Sequence, residues 1–271
     1  MAASTEASLP RSPVLQPHEE NGLPFYRFHG LSTFGDLEHG IFTRLGGVSS
    51  PPFASLNVSR DTGDAFCNVR ENIGRVQAAT EFSTPIYARQ SHSSNLAVLH
   101  RYPRIDPEVP YQFVHIDGFI TQLPGLLLMV KVADCQAIFL YDPKKRVIAN
   151  IHAGWRGSLQ NIAAKAVHLM EAHFHCRPQD IFAAIGPSLG PCCAEFRNWR
   201  QELPPTFSRA RLKEDHFDFW ATSENQLHEA GVRRENIETA GLCTRCHPKI
   251  FYSYRGEGRT GRFAAAIGIK A

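Results

Sequence analysis

Three residues near the ends of predicted strands carry side chains that bind metal ions: His92, Cys135 and His152. Zinc accepts histidine nitrogen and cysteine sulfur, and a catalytic zinc combines three protein ligands with one open position. The three residues are too far apart in sequence to form a local zinc finger, so a shared site requires that the strand ends meet in the fold. Asp134 directly precedes Cys135 and is a candidate hydrogen-bond acceptor for a ligand or a candidate base.

The segment around His152, V-I-A-N-I-H-A-G-W-R-G (147–157), predicts a buried strand that turns into a helix. Gly154 and Gly157 allow the backbone to approach its neighbours closely. Arg156 lies at the predicted helix start, where backbone N–H groups already favour an anion. The segment is equally typical of a structural strand-to-helix corner with a hydrogen-bonded core histidine, and taken alone it leaves both interpretations open.

Two further residues are candidates for contacts with a substrate. Arg44 precedes the Gly46–Gly47 pair, and a guanidinium beside bare amides can hold a phosphate. A glycine turn with a solvated arginine is the commoner structure for such a segment. Gln90, two residues before His92, is a candidate for orienting a proton.

Two cysteine pairs, Cys192–Cys193 and Cys243–Cys246, stand apart from this set. C-T-R-C-H (243–247) has the C-x-x-C-H pattern of c-type haem attachment, but the chain shows no export signal and only one copy. A zinc knuckle needs a second pair, and adjacent cysteines are poorly spaced for one. The zinc deaminase pattern of H-x-E with P-C-x-x-C is absent. The favoured interpretation is a thiol-bearing loop.

Composition limits the class of protein. The chain has 271 residues, 43% of them hydrophobic and 20% charged, with a formal net charge of +3. This balance does not favour nucleic acid or a membrane as a partner, and no apolar run is long enough to span a bilayer. Seven cysteines, an odd number spread along the chain, predict a reducing, cytoplasmic environment. Residues 1–23 are predicted to be a disordered tail and residues 24–271 a single catalytic domain.

Short predicted strands separated by turns, with few helices, predict a single α+β domain. Residues 126–133, L-L-L-M-V-K-V-A, are typical of a strand buried on both faces. A helical period follows over residues 158–175. Asp218 is a candidate N-cap for a helix that begins at Phe219.

The chain resembles the YfiH-like, laccase-domain proteins, which are labelled multicopper polyphenol oxidases and have also been described as purine nucleoside phosphorylases. The resemblance covers residues 39–269. Its motifs are H-G-I-F-T-R-L-G-G-V-S (39–49), S-L-N-V (55–58), Q-S-H (90–92), D-G-F-I-T (117–121), A-D-C (133–135), L-Y-D-P (140–143), I-H-A-G-W-R-G (151–157), I-G-P-S-L-G-P-C-C (185–193), C-T (243–244), and F-Y-S-Y-R with T-G-R (251–262).

The resemblance implies mixed β-sheets layered with helices and a metal site on His92, Cys135 and His152, with zinc favoured over copper. It implies phosphorolysis of adenosine, inosine, guanosine and methylthioadenosine, with adenosine deamination as an additional activity. Editing of peptidoglycan precursors and copper-dependent oxidation of phenols are the alternatives. Three copper types would need many more histidines in close H-x-H patterns, and the chain has a single such pattern, at residues 173–175.

In this scheme a small-molecule nucleoside and phosphate are the partners, and the oligomeric state stays open. Arg44 and Arg156 are the expected phosphate contacts, and Asp134 or Gln90 would move or orient protons. The aromatic residues expected to enclose the purine are Phe42, Phe119, Tyr252 and Tyr254. The chain departs from the common family pattern at Ser91, Ser93, Lys131, Val132, Gln136 and Ala137. These positions flank the metal ligands, so the departures bear on substrate preference more than on metal binding.

Overall fold

The computed structural model describes residues 9–106, 109, 111–204, 207 and 210–271. The strands are β1 (Leu15–Glu20), β2 (Leu23–Phe28), β3 (Leu37–Phe42), β4 (Thr84–Ile86), β5 (Ala88–Arg89), β6 (Ala97–Leu99), β7 (Phe113–Val114), β8 (Gly118–Thr121), β9 (Leu126–Val132), β10 (Gln136–Asp142), β11 (Val147–Ala153), β12 (Phe182–Ile185), β13 (Ile237–Thr239) and β14 (Phe263–Ile269). The helices are α1 (Phe66–Thr80), α2 (Trp155–Leu159), α3 (Ile162–Phe174), α4 (Trp199–Glu202), α5 (Phe219–Glu229) and α6 (Tyr254–Glu257).

Most of the strands form two six-stranded sheets. The first sheet has the order β1-β2-β3-β14-β9-β4, and the second has the order β13-β12-β10-β11-β8-β6. Neighbours are antiparallel except for the outer pairs β4/β9, β12/β13 and β6/β8, which are parallel. Short hairpin connections such as β10–β11 explain why antiparallel pairing dominates.

Side chains that alternate along the central strands build a four-layer structure. In β9, Leu128 and Val130 pack between the two sheets, whereas Leu127 and Met129 face α1. The second sheet does the same, with one face toward the first sheet and the other covered by α3 and α5. Because both faces of the inner strands are buried, β9, β10, β11 and β14 contain no exposed residue. The predicted class, mixed sheets layered with helices in one α+β domain, is confirmed.

Asn150 makes a polar contact across the space between the sheets. It lies in β11, is fully buried, and its Nδ2 donates to the carbonyl oxygens of Leu128 and Ala265, both at 2.8 Å. These acceptors belong to β9 and β14 of the first sheet. The contact ties the strand that carries His152 to the opposite sheet.

The prediction of a disordered tail through residue 23 is wrong for residues 15–20. They form β1, which pairs with β2 from Leu15 opposite Phe28 to Glu20 opposite Leu23. Apart from Leu15 the strand buries little, so it is held mainly by backbone pairing that a polar composition does not reveal. Residues 1–8 of the predicted tail lie outside the described residues. Across the described ranges, no helix has the length and apolar character needed to cross a membrane.

Replacing Asn150 with Ala is expected to destabilise the fold by about 1–3 kcal/mol, because two buried hydrogen bonds between the sheets are lost. Urea unfolding followed by fluorescence measures the change. Asn225→Ala is the matched control, since Asn225 is exposed on α5 and the expected change there is within about 0.5 kcal/mol. Equal stability of the two variants would contradict the role given to Asn150.

Candidate metal centre and cavity

The register of the β10–β11 hairpin brings two of the candidate ligands together. Gln136 pairs with Ala153 and Ala137 pairs with His152 in this antiparallel hairpin. Cys135 directly precedes β10, and His152 is the penultimate residue of β11, so the two residues lie at the same end of the hairpin. Their separation in sequence is therefore bridged by one tight turn at residues 143–146.

The other neighbour of β11 brings a carboxylate to His152. β8 pairs with β11 with Gly118 opposite Ile151, which places Asp117 beside His152. The His152 amide donates to the Asp117 carbonyl at 2.6 Å, and the His152 ring Nδ1 lies 2.8 Å from Asp117 Oδ1. Asp117 is completely buried. A carboxylate on Nδ1 fixes the ring orientation and leaves Nε2 for another partner.

The same carboxylate holds the loop that carries the third ligand. The backbone amides of Ser91, His92 and Ser93 donate to the Asp117 carboxylate at 2.8–3.3 Å. The Ser93 hydroxyl adds a 2.7 Å hydrogen bond and the Ser91 hydroxyl a 3.1 Å one. His92 takes a left-handed backbone conformation (φ 58°), which is uncommon for a residue with a side chain and occurs often at functional sites. Asp117 thus positions both histidines.

One ligand atom from each of His92, Cys135 and His152 lies within 4.8 Å of the other two. The two imidazole rings meet edge to face, with their centroids 4.9 Å apart. Gly154 leaves the space that this packing needs. A Cβ at that position would lie 3.1 Å from His92 Cδ2 and 3.2 Å from Cys135 Sγ. The prediction that a glycine permits close approach here is confirmed.

The environment favours a thiolate at Cys135. Burial opposes ionisation, but the adjacent His152 and His92 rings outweigh it and lower the pKa of Cys135 to about 6. For His152, burial is outweighed by Cys135 and by the hydrogen bond to Asp117, which together raise its pKa to about 9. Burial also acts to raise the pKa of Asp117, yet hydrogen bonds from His152 and Ser93 hold it below its usual range. A metal ion requires this same deprotonated sulfur.

The donor set matches a metal of the zinc type. One thiolate and two imidazoles, with a carboxylate behind one imidazole, form a set that zinc binds with an open position. The three residues line a cavity of about 580 Å³, a size typical of small-molecule sites, so an open position would face it.

The cavity has an aromatic side and several cationic groups. Its aromatic lining comprises Trp155, Phe196, Phe219 and Tyr254, and its cationic lining comprises Lys131, Arg156, Arg255 and Arg262. The Phe196 ring lies 5.3 Å from Phe219 and 6.1 Å from Trp155, measured between centroids. Aromatic faces suit a planar heterocycle and guanidinium groups suit an anion.

Arg44 lies outside this cavity. Its guanidinium donates to the Ala54 carbonyl at 3.0 Å, to the Pro248 carbonyl at 2.6 Å and to Glu257 at 2.8 Å. The amide of Gly47 donates to Ser55 Oγ at 3.1 Å and so is also occupied. The phosphate-binding role predicted for Arg44 does not agree with this placement, because its hydrogen bonds join loops of the fold.

Arg156 lines the cavity, as the prediction requires. Its guanidinium carbon lies 4.6 Å from the centroid of the Trp155 ring, and the residue is exposed. The helix that begins there, α2, has only five residues, so its dipole adds little. Attraction of an anion at this point depends on the arginine itself.

Gln90 and Asp134 also line the cavity, but their polar groups are engaged with the protein. The Gln90 amide pairs with the backbone N–H and carbonyl of Lys131, at 2.9 and 3.0 Å. Asp134 accepts from Thr244 Oγ1 at 2.7 Å and from the Arg255 amide at 2.6 Å. Both residues therefore act in positioning the cavity wall, and the acceptor for the His152 ring is Asp117 rather than Asp134.

Of the aromatic residues predicted to enclose a base, the structure places only Tyr254 in the cavity. Phe42, Phe119 and Tyr252 are at most 1% exposed and belong to the core. At strand positions, large apolar side chains usually face the interior, and that rule decides these three cases.

Four polar residues that the structure places at the site are not among the predicted site residues: Asp117, Lys131, Arg255 and Arg262. Lys131 carries a signal that could have been used, since it is a charged residue within an apolar strand. Its Nζ lies 3.1 Å from the Tyr111 hydroxyl, and burial lowers its pKa to about 8. Asp117 follows an irregular segment, and nothing in the local sequence indicates that it is buried.

A family model described as multi-copper polyphenol oxidoreductase laccase matches residues 38–270. The chain is 34% identical to a purine nucleoside phosphorylase of Deinococcus radiodurans over 258 residues, which cover 92% of this chain and 94% of that protein. It is 31% identical to the purine nucleoside phosphorylase YlmD of Geobacillus stearothermophilus over 253 residues, 88% of this chain and 92% of that protein.

Solved structures agree with these similarities. A crystal structure of YlmD from Geobacillus stearothermophilus superposes with a TM-score of 0.85 at 31% identity, over 95% of this chain and 99% of that chain. A Bacillus licheniformis protein named YfiH superposes with a TM-score of 0.82 at 26% identity, over 95% of this chain and 100% of that chain. With a family model that covers residues 38–270 and relatives that align along nearly their whole length, the chain belongs to the laccase-domain family that includes YfiH and YlmD.

Proposed function

We propose that this chain is a zinc-dependent purine nucleoside phosphorylase that acts on adenosine, inosine, guanosine and methylthioadenosine, with adenosine deamination as an additional activity. The observation that carries the proposal is the ligand triad of His92, Cys135 and His152, held by buried Asp117, beside a cavity with aromatic and cationic walls. The names of the relatives, which are purine nucleoside phosphorylases, support the same class of reaction.

The triad is the proposed zinc site. Zinc held there would polarise an oxygen of phosphate or of the ribose, or activate a water for deamination. Asp117 keeps the His152 ring in the tautomer that offers Nε2, and it fixes the backbone of the His92 loop. Because Asp117 has no contact with solvent, these positions are set before a substrate arrives.

The aromatic side of the cavity is the proposed binding surface for the purine. Phe196 lies in contact distance of both Trp155 and Phe219, so the rings form one continuous surface. Tyr254 is 61% exposed and stands at the rim. A flat heterocycle against such rings gains both apolar burial and stacking.

The cationic groups are the proposed binding site for phosphate. Arg262 Nη1 donates to the carbonyls of Thr260 and Gly261, and Arg255 Nη1 donates to the carbonyl of Glu195. Each guanidinium has five N–H donors, so further donors remain on both groups for an anion. In phosphorolysis a phosphate oxygen bonds to C1′ of the ribose as the bond to the purine nitrogen breaks, and the purine leaves with a proton. Positioning phosphate against the ribose is the main task of these arginines.

We further propose that the protein works in a reducing compartment such as the cytoplasm. All seven cysteines are free thiols in the structure, including Cys135 at the site. A thiolate ligand stays available to a metal only while it is not oxidised.

The direct test is product analysis by chromatography on zinc-loaded protein that is given adenosine with and without inorganic phosphate. We expect adenine and ribose 1-phosphate, formed only when phosphate is present, and inosine as a minor product. If inosine is the only product and forms equally without phosphate, the enzyme is a deaminase and not a phosphorylase. A protein that forms neither product but oxidises a phenol with copper, or releases an amino acid from a muropeptide, would contradict the proposal.

Cys135→Ala is expected to remove one equivalent of zinc per chain and to lower turnover of adenosine by at least about 100-fold, since the thiolate is the only anionic ligand of the triad. Elemental analysis and the product assay measure the two effects on one sample. Cys67→Ala is the control, because Cys67 is exposed on α1. Undiminished turnover by a Cys135→Ala protein that lacks this zinc would rule out the metal mechanism.

Asp117→Asn is expected to weaken zinc binding by about 10–100-fold, because an amide cannot supply the negative charge behind the His152 ring. Competition with a fluorescent chelator measures the affinity, and circular dichroism confirms that the variant is folded. Asp180→Asn is the matched control, as Asp180 makes an exposed ion pair with Lys144. Wild-type affinity in the Asp117 variant would show that this carboxylate does not position the ligands.

A further inference from the structure

A second group of metal-binding side chains lies apart from the triad. The Sγ atoms of Cys192, Cys193, Cys243 and Cys246 all lie within 4.8 Å of one another. Cys246 Sγ is 3.6 Å from Cys192 Sγ and 3.7 Å from Cys193 Sγ. The sequence predicts a thiol-bearing loop and offers no well-spaced second pair, but the fold brings the two pairs together.

Parallel pairing of β12 with β13 explains how the pairs meet. The carboxyl ends of parallel strands lie at the same edge of a sheet, and each pair follows one of these strands. The loops stay paired beyond the strands, since Ser188 N donates to the Leu242 carbonyl at 3.2 Å and Thr244 N donates to the Ser188 carbonyl at 3.0 Å. The Cys246 amide then donates to the Cys243 carbonyl at 3.2 Å. This hydrogen bond closes a turn that places the Cys246 thiol close to the Cys243 thiol.

The sulfur distances indicate which chemistry the cluster supports. A disulfide requires sulfur atoms about 2.05 Å apart, much closer than any pair whose distance is given above. Four sulfurs at about 2.3 Å from a tetrahedral zinc lie about 3.8 Å from one another, which agrees with 3.6 and 3.7 Å. An iron–sulfur cluster places several iron and sulfide atoms between its ligands and so needs a wider set. Thiolates also exclude the hard cations magnesium and calcium.

We propose that these four cysteines bind a second zinc ion in a closed tetrathiolate site. The site shares no ligand with the triad, and four thiolates leave no open position, which is the arrangement of structural zinc rather than catalytic zinc. The proposal stands on the cysteine geometry and does not depend on the proposed reaction.

The location gives this second zinc a structural task. The loop with the first pair supplies Ser188, Leu189 and Ala194 to the cavity wall. The loop with the second pair supplies Thr244, whose hydroxyl donates to Asp134 at 2.7 Å. A zinc ion that joins the two loops would therefore hold one wall of the cavity against the turn that carries Cys135. Loss of this zinc is expected to loosen residues 186–195 before the core.

Zinc stoichiometry tests the proposal. Wild-type protein prepared with reductant and zinc is expected to hold two equivalents per chain by elemental analysis, and Cys246→Ser to hold one. Cys246→His is expected to keep two, because zinc accepts three cysteines and one histidine. Cys67→Ser, with its thiol exposed on α1, is the control and is expected to keep two. One equivalent in the wild type, unchanged in Cys246→Ser, would overturn the proposal.

A second experiment leaves the four clustered cysteines unchanged and loads the protein with cobalt in place of zinc. It tests the proposal even if Cys246→Ser fails to fold. In the Cys135→Ala protein only the tetrathiolate site supplies sulfur to cobalt, and strong sulfur-to-cobalt charge-transfer and visible bands of a tetrahedral complex are expected. Hydrogen exchange of residues 186–195 is expected to accelerate when this metal is removed. Absence of the charge-transfer bands in folded Cys135→Ala protein, or a disulfide between the pairs in the reduced sample, would overturn the proposal.

Discussion

A buried carboxylate is the constraint on which the candidate site depends. Asp117 is fully enclosed, and a charge in that position is tolerated only when hydrogen bonds satisfy it. Here they come from the backbone of the loop 91–93, from serine hydroxyls and from the His152 ring. Each of these partners is thereby fixed in place. The need to satisfy one charge thus orients two histidines from distant parts of the chain.

The layered fold makes this arrangement rigid. Both neighbours of β11 begin at the site, so the residues that precede β10 and β8, Cys135 and Asp117, lie on the two sides of His152. A shift of one residue in either register would turn alternate side chains to the wrong face of a sheet that is buried on both sides. Asn150, two residues before His152, adds a link to the opposite sheet. The ligands therefore stand on strands with little freedom to move.

The parts of the structure that the sequence predicts are those governed by local rules. The apolar run at 126–133 forms β9, and Asp218 caps α5 by accepting from the Ala221 amide at 3.0 Å. The polar strand β1 escaped prediction on composition, although Asn21–Gly22, both at positive φ, is the typical signal of a tight hairpin. The turn signal predicts the observed hairpin, whereas the polar composition of the segment predicts disorder.

The sequence was less informative about side chains whose role depends on distant partners. Arg44 resembles a phosphate ligand when only its own segment is considered. In the fold its guanidinium donates to the backbone carbonyls of residues 54 and 248 and to the carboxylate of Glu257. Asp117 and the four clustered cysteines acquire their partners only through strand pairing. The triad could be predicted from the sequence because its residues lie at predicted strand ends, where functional groups often occur, and because the motifs around it resemble a known family. Local spacing alone could not show that the three residues meet.

The most direct measurement of the central claim is isotope tracing with phosphate labelled by oxygen-18 at every position. Zinc-loaded protein is given adenosine and this phosphate, and the sugar product is analysed by mass spectrometry. If the arginines position phosphate against the ribose, ribose 1-phosphate carries all four labelled oxygens, and the Cys135→Ala protein forms none. Unlabelled free ribose, or inosine as the sole product, would show that water rather than phosphate is the nucleophile at this site.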